Sequence, residues 1–124
     1  MTSDHSDHET LALAVIRLLN GIYEVECDIF GDPISALLIR RIAQGQLEGR
    51  PFDISSLAVA LRLPTPTVSR RVTQLIQRAW VTRTRTGRSY QLALTPKVCD
   101  EVLPKFAELK KSIRRFNVDT KDLP

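Results

Sequence analysis

Two short helical patterns split by Leu63 and Pro64, followed at once by two β-rich runs around Gly87, leave few folds open to this chain. Asp53 is suited to cap a helix running to Leu61, with Leu57, Ala58 and Leu61 turned inward. Thr65 is expected to cap the next helix, with Pro66 in its first turn. That helix places Val68, Val72, Leu75 and Ile76 on one side. Arg70, Gln74 and Gln77 fall on the other side, flanked by Thr67 and Arg71. Trp80 to Arg83 and Tyr90 to Leu94 then read as strands, and Thr84 to Ser89 as a basic hairpin tip pivoting on Gly87.

Charge is sorted along the same stretch. No Asp or Glu occurs from Ile54 through Cys99, which carries Arg62, Arg70, Arg71, Arg78, Arg83, Arg85, Arg88 and Lys97. The stretch is thus +8 in a chain of net +4, which leaves −4 for the flanks. A basic middle between acidic flanks is a focused footprint for an anionic partner.

The flanks read as helices that need covering. Leu11, Val15, Leu18, Ile22 and Val25 recur at helical spacing between Glu9 and Cys27, and Ile16, Leu19 and Tyr23 form a second stripe beside them. A helix apolar over so much of its circumference needs a cover, and a second copy of the chain is the simplest one. Asp32 and Pro33 start a further amphipathic helix that ends between Gly45 and Gly49, and Arg50 to Phe52 is expected to be extended. From Pro96 onward Val98, Val102, Phe106, Leu109, Ile113 and Phe116 approach a heptad seam, which Pro104 is expected to kink or restart near Leu103.

Two helices, a tight turn and a hairpin are the order of a winged helix-turn-helix, so the expected fold is mainly α with a small β-hairpin wing (α+β). The domain reading is a disordered tail at 1–8, an N-terminal dimerisation helix at 9–31, the winged unit at 32–95, and a C-terminal dimerisation helix and tail at 96–124. Leu57-Ala58, Leu61, Thr67-Val68-Ser69-Arg70, Leu75, Trp80-Val81 and Leu92-x-Leu94-Thr95 resemble the MarR-like winged-helix transcriptional regulators. The resemblance implies a homodimer built from the terminal helices, with one DNA half-site per subunit. It implies a recognition helix, about 65–78, in the major groove, and a wing at 82–90 on the backbone or minor groove. A small-molecule effector is among the partners it implies. Ala79 departs from the pattern, because the family usually has Gly there.

The expected double-stranded DNA contacts are Thr65, Thr67, Ser69, Arg70, Arg71, Gln74, Arg83, Arg85 and Arg88. The expected dimer contacts are Leu11, Val15, Leu18, Ile22, Phe106, Leu109, Ile113 and Phe116. Plainer readings stand beside these. Arg70 and Arg71 could be solvated helix charges, and Arg83, Arg85 and Arg88 could guard an edge hairpin against aggregation. Trp80 is expected to anchor the wing in the core. The alternative function is a winged helix that binds protein rather than DNA. An enzyme is not expected, since no paired carboxylates, nucleophile–base set or Gly-rich phosphate loop stands out. No cofactor and no metal are expected; His5 and His8 with Asp4 and Asp7 lie in the tail. Cys27 and Cys99 read as reduced thiols, with a redox pair as the alternative, and a cytoplasmic location without membrane contact is expected.

Overall fold

The computed structural model describes residues 2–115. Within them five helices and one hairpin follow in the order α1 (Thr2–Phe30), α2 (Pro33–Leu47), α3 (Ile54–Leu61), α4 (Thr65–Gln77), β1 (Val81–Thr86), β2 (Ser89–Leu94) and α5 (Pro96–Arg115). This is the mainly helical winged architecture that the periodicity predicts. The first helix is longer than expected, because it already runs through positions 2–8, where the polar composition predicts a disordered tail. Thr10 Oγ1 bonds back to the Ser6 carbonyl at 2.9 Å in this first part. At the other end, α5 continues through Pro104 without a restart. The carbonyl that Pro104 deprives of its N–H belongs to Asp100, an exposed residue, so water can satisfy it.

Caps set the element boundaries. Asp32 starts α2 by accepting from the Ser35 amide at 2.9 Å and the Ser35 hydroxyl at 2.7 Å. Asp53 starts α3 with a reciprocal capping box to Ser56. The end of α3 is a Schellman closure, with Leu63 N–H on the Ala58 carbonyl at 3.0 Å and Arg62 N–H on that of Val59 at 3.2 Å. That closure uses Arg62 and Leu63, so of the three residues between the helices only Pro64 is left to start α4. Pro64 therefore becomes the N-cap of α4, accepting from the Val68 amide at 3.1 Å. Thr65, expected as the cap, is instead the first helical residue.

The same closure ends α4. Trp80 N–H reaches the Leu75 carbonyl at 2.9 Å and Ala79 N–H that of Ile76 at 3.0 Å, which forces Ala79 to φ +62°. Gly49 fills the corresponding position after α2. An alanine held left-handed costs about 1–2 kcal/mol, partly offset by the extra freedom glycine has when unfolded. Ala79→Gly is therefore expected to stabilise the protein by about 1 kcal/mol, read as a higher urea midpoint with unchanged slope.

One core binds these elements. Phe30, Leu38, Ile42, Leu57, Val68, Val72, Leu75, Trp80, Val81 and Leu92 are all buried in it. The Trp80 ring meets Phe30 edge-on at 5.2 Å between centroids, as suits an anchor under the wing. The hairpin pairs Val81 with Leu94 through Thr86 with Ser89 in antiparallel register. Its base is buried at Val81 and Leu92, and its outer half is exposed. Gly87 at φ +65° opens the two-residue turn with Arg88, as a tight hairpin turn requires. Residues 50–52 form no strand, but the Phe52 carbonyl accepts from Leu92 N–H at 2.8 Å and Gln46 Oε1 from Leu94 N–H at 2.9 Å. These two bonds pin the wing to α2 and to the approach to α3.

Candidate nucleic-acid interface

Three cations of the basic stretch bond to other elements of the protein, and two of these, Arg78 and Lys97, are exposed all the same. Arg78 Nη1 donates to the Phe30 carbonyl at 2.8 Å. Lys97 Nζ donates to the Arg78 carbonyl at 3.1 Å and lies 4.2 Å from the Trp80 ring centroid. Arg71 pairs with Asp32 at 3.2 Å, and only 29% of its side chain is exposed. Its Nε is buried without a hydrogen-bond partner. The sequence reading places Arg71 among the DNA contacts, yet it points to the α1–α2 corner. Arg62, Arg70, Arg83, Arg85 and Arg88 are all exposed.

The outer face of α4 follows from its inner one. Val68, Val72 and Leu75 are buried, so the 3.6-residue turn leaves Pro66, Arg70, Thr73, Gln74 and Gln77 exposed. Arg70 and Gln74 thus sit where the sequence places them. Thr65 is exposed at the helix start, while Thr67 and Ser69 are half-buried on its flank. Thr73 is an addition that the sequence reading missed, though it lies three residues beyond Arg70 on the same face. Its hydroxyl donates to the Ser69 carbonyl at 2.9 Å, which leaves oxygen lone pairs for another donor. The N-terminus of α4 has no side-chain cap, so its first amides remain available to an acceptor.

On the wing, alternation divides two chemistries. Thr82, Thr84 and Thr86 take one face of β1, and Arg83 and Arg85 the other. Arg85 stands opposite Tyr90 in the register. The guanidinium carbons of Arg83 and Arg85 lie 5.0 Å and 5.9 Å from the Tyr90 ring centroid. Both fall within cation–π range, so one aromatic ring steadies two like charges. Arg85 Nε also donates to the Gly87 carbonyl at 3.3 Å, which braces the turn that presents Arg88.

The carboxylates lie elsewhere. Burial alone would raise the Asp32 pKa, but the Ser35 hydrogen bonds and Arg71 outweigh it and hold the group below its ordinary value. Asp53 is likewise lowered, chiefly by the Ser56 amide. A cleft of about 540 Å³ between the end of α1 and α5 is lined by Asp28, Asp100, Glu101 and Glu108, with Lys105. Cys27 is a half-buried free thiol. Among the described residues no three His, Cys, Asp or Glu side chains gather as metal ligands, and no helix is long and apolar enough to cross a membrane.

The expected dimer contacts on α1 divide too. Val15, Leu18 and Ile22 are half-buried within the single chain, and Leu11 is 50% exposed. The more open stripe is the second one, Ile16 at 53%, Leu19 at 56% and Tyr23 at 44% exposed. Phe116 and the side chains of Phe106, Leu109 and Ile113 lie outside the described residues.

No protein-family model matches the chain, and no curated protein matches it in sequence. Solved structures do share its architecture. A transcriptional regulator from Thermotoga maritima superposes with a TM-score of 0.71 at 20% identity, covering 97% of this chain and 82% of that one. A multiple antibiotic-resistance repressor (MarR) from Listeria monocytogenes gives 0.64 at 18% identity, covering 98% and 86%. Reduced AbfR, solved bound to DNA, gives 0.55 at 22% identity, covering 89% and 81%. The chain thus shares the winged-helix fold of these solved regulators.

Proposed function

We propose that the protein is a transcriptional regulator that binds double-stranded DNA sequence-specifically as a homodimer. In this reading α4 enters the major groove and the wing, 82–90, touches the backbone or the minor groove. The supporting observation is the sorting of charge. Of the eight cations between Ile54 and Cys99, Arg71, Arg78 and Lys97 bond to other elements of the protein, and the other five, all exposed, stand on the α3–α4 turn, the outer face of α4 and the wing. Arg70 and Gln74 offer the donor and acceptor groups that base edges require. The Tyr90-steadied Arg83 and Arg85, with Arg88 at the turn, suit phosphate or a narrow groove. The second copy would bring two α4 helices about 34 Å apart, one turn of DNA. The protein would act in the cytoplasm and perform no catalysis.

The test uses duplexes selected from random sequence by the purified protein, with scrambled duplexes as controls, across a salt series. Arg70→Ala is expected to lose about 1–3 kcal/mol on the selected site and relax preference at one base position. Arg88→Ala is expected to weaken both duplexes alike and to reduce the log–log salt slope by about 0.9 for each phosphate it ceases to neutralise. If neither variant changes affinity, or if the wild type selects no sequence, the basic surface serves another partner and the protein-binding alternative takes over.

A further inference from the structure

Arg71 within α4 and Arg78 at its C-cap share one target, although Arg78 also stays exposed to water. Arg71 and Arg78 are seven positions apart, so they lie on the same side of the helix about 10 Å from each other along its axis. Both reach the corner where α1 gives way to α2. Arg78 Nη1 takes the Phe30 carbonyl at 2.8 Å and packs over Gly31, where an added Cβ would stand 3.4 Å from Nη1. Arg71 takes Asp32 at 3.2 Å, while the same carboxylate caps α2 through Ser35. Two points of attachment fix a helix in rotation as well as in translation. The buried Val68, Val72 and Leu75 seat α4 in the core, and the two attachments add a polar constraint at its edge.

We infer that Arg71 and Arg78 are positioning residues that lock the recognition helix to the end of α1, so that the separation of the two α4 helices is inherited from the α1 interface. The inference rests on the DNA-binding, dimeric reading above, and it adds how half-site spacing is read. A cation that touches phosphate reports itself in the salt slope. A cation that sets helix position reports itself in the spacing the dimer prefers, with the slope unchanged.

The experiment compares the wild type, Arg71→Gln, Arg78→Gln and Arg70→Ala on duplexes carrying identical half-sites with spacers lengthened or shortened by one or two base pairs. The two glutamine variants are expected to bind the best spacer about tenfold more weakly, to discriminate less among spacers, and to keep the wild-type salt slope. Arg70→Ala is expected to weaken every spacer by the same factor. A slope reduced by about 0.9, with spacer preference intact, would make Arg71 or Arg78 a phosphate contact and overturn the inference.

A second arm needs no DNA. Spin labels at Glu24→Cys on α1 and Gln74→Cys on α4, in a Cys27→Ser, Cys99→Ser background, report the distance between the helices in the free protein. The distribution is expected to be narrow with both arginines present and broader in either glutamine variant. Equal widths would overturn the lock even if the wild type bound no duplex, and a broadened distribution beside absent DNA binding would overturn only the functional reading.

Discussion

Glutamate at both Ile16 and Leu19 is expected to make the protein monomeric at micromolar concentration without unfolding it, and to lower affinity for a two-half-site duplex by about 10²-fold or more. Both residues are more than half exposed in the single chain, so their replacement removes little from the core. Surface changes of that kind usually move stability by no more than about 0.5 kcal/mol. In a dimer packed along this stripe each glutamate would lose its water against apolar side chains, at several kcal/mol apiece. The weaker DNA affinity follows because the second half-site is engaged intramolecularly only while the subunits are joined. Sedimentation checks the first step, thermal unfolding the second, and titration of one-site and two-site duplexes the third. A variant that remains dimeric would move the interface away from this stripe, and a wild-type monomer would remove the dimer altogether.

The stripe also shows where sequence reading succeeds and where it stops. Period alone separates Leu11, Val15, Leu18 and Ile22 from Ile16, Leu19 and Tyr23, because helical geometry is local. Which set the chain covers by itself depends on how α2 and α5 approach α1, which no local rule encodes. The helix-turn-helix is legible for the same local reason: Val68, Val72 and Leu75 mark the inner face, and Asp32 and Asp53 cap their helices as expected. Arg71 is not legible. It follows outward Arg70 by about 100° of helix rotation and stands at the edge of the face. Its partner Asp32 is distant in sequence, so only packing decides the direction. The cap at Thr65 is displaced by one residue because the α3 closure runs through Leu63. Ala79 is legible only as a departure from the family pattern, and its left-handed backbone supplies the reason glycine is usual there.

A larger drop in stability is expected from an exposed-looking residue, Arg40. Its side chain is 51% exposed, yet it holds Glu26, whose side chain is 3% exposed. Arg40 Nε donates to Glu26 Oε2 at 3.2 Å and Nη2 donates to Oε1, so the guanidinium meets the carboxylate with both prongs of its fork. The pair joins α1 to α2 beside the corner that Arg71 and Arg78 grip. Arg40→Met keeps most of the aliphatic stem but strands a buried carboxylate. Breaking a buried pair costs about 3–5 kcal/mol, and the lower end applies here because half of Arg40 already stands in water. A change of about 3 kcal/mol is a large share of the roughly 5–15 kcal/mol that holds a typical domain together. The stranded charge, rather than the missing guanidinium packing, is the reason, and the two can be separated. Glu26→Leu with Arg40→Met removes both charges, and the double variant is expected to recover most of the stability. Urea unfolding of the wild type, both single variants and the double variant supplies the cycle. Additive effects would mean that the two side chains act independently, and the join between α1 and α2 would then rest on apolar packing alone.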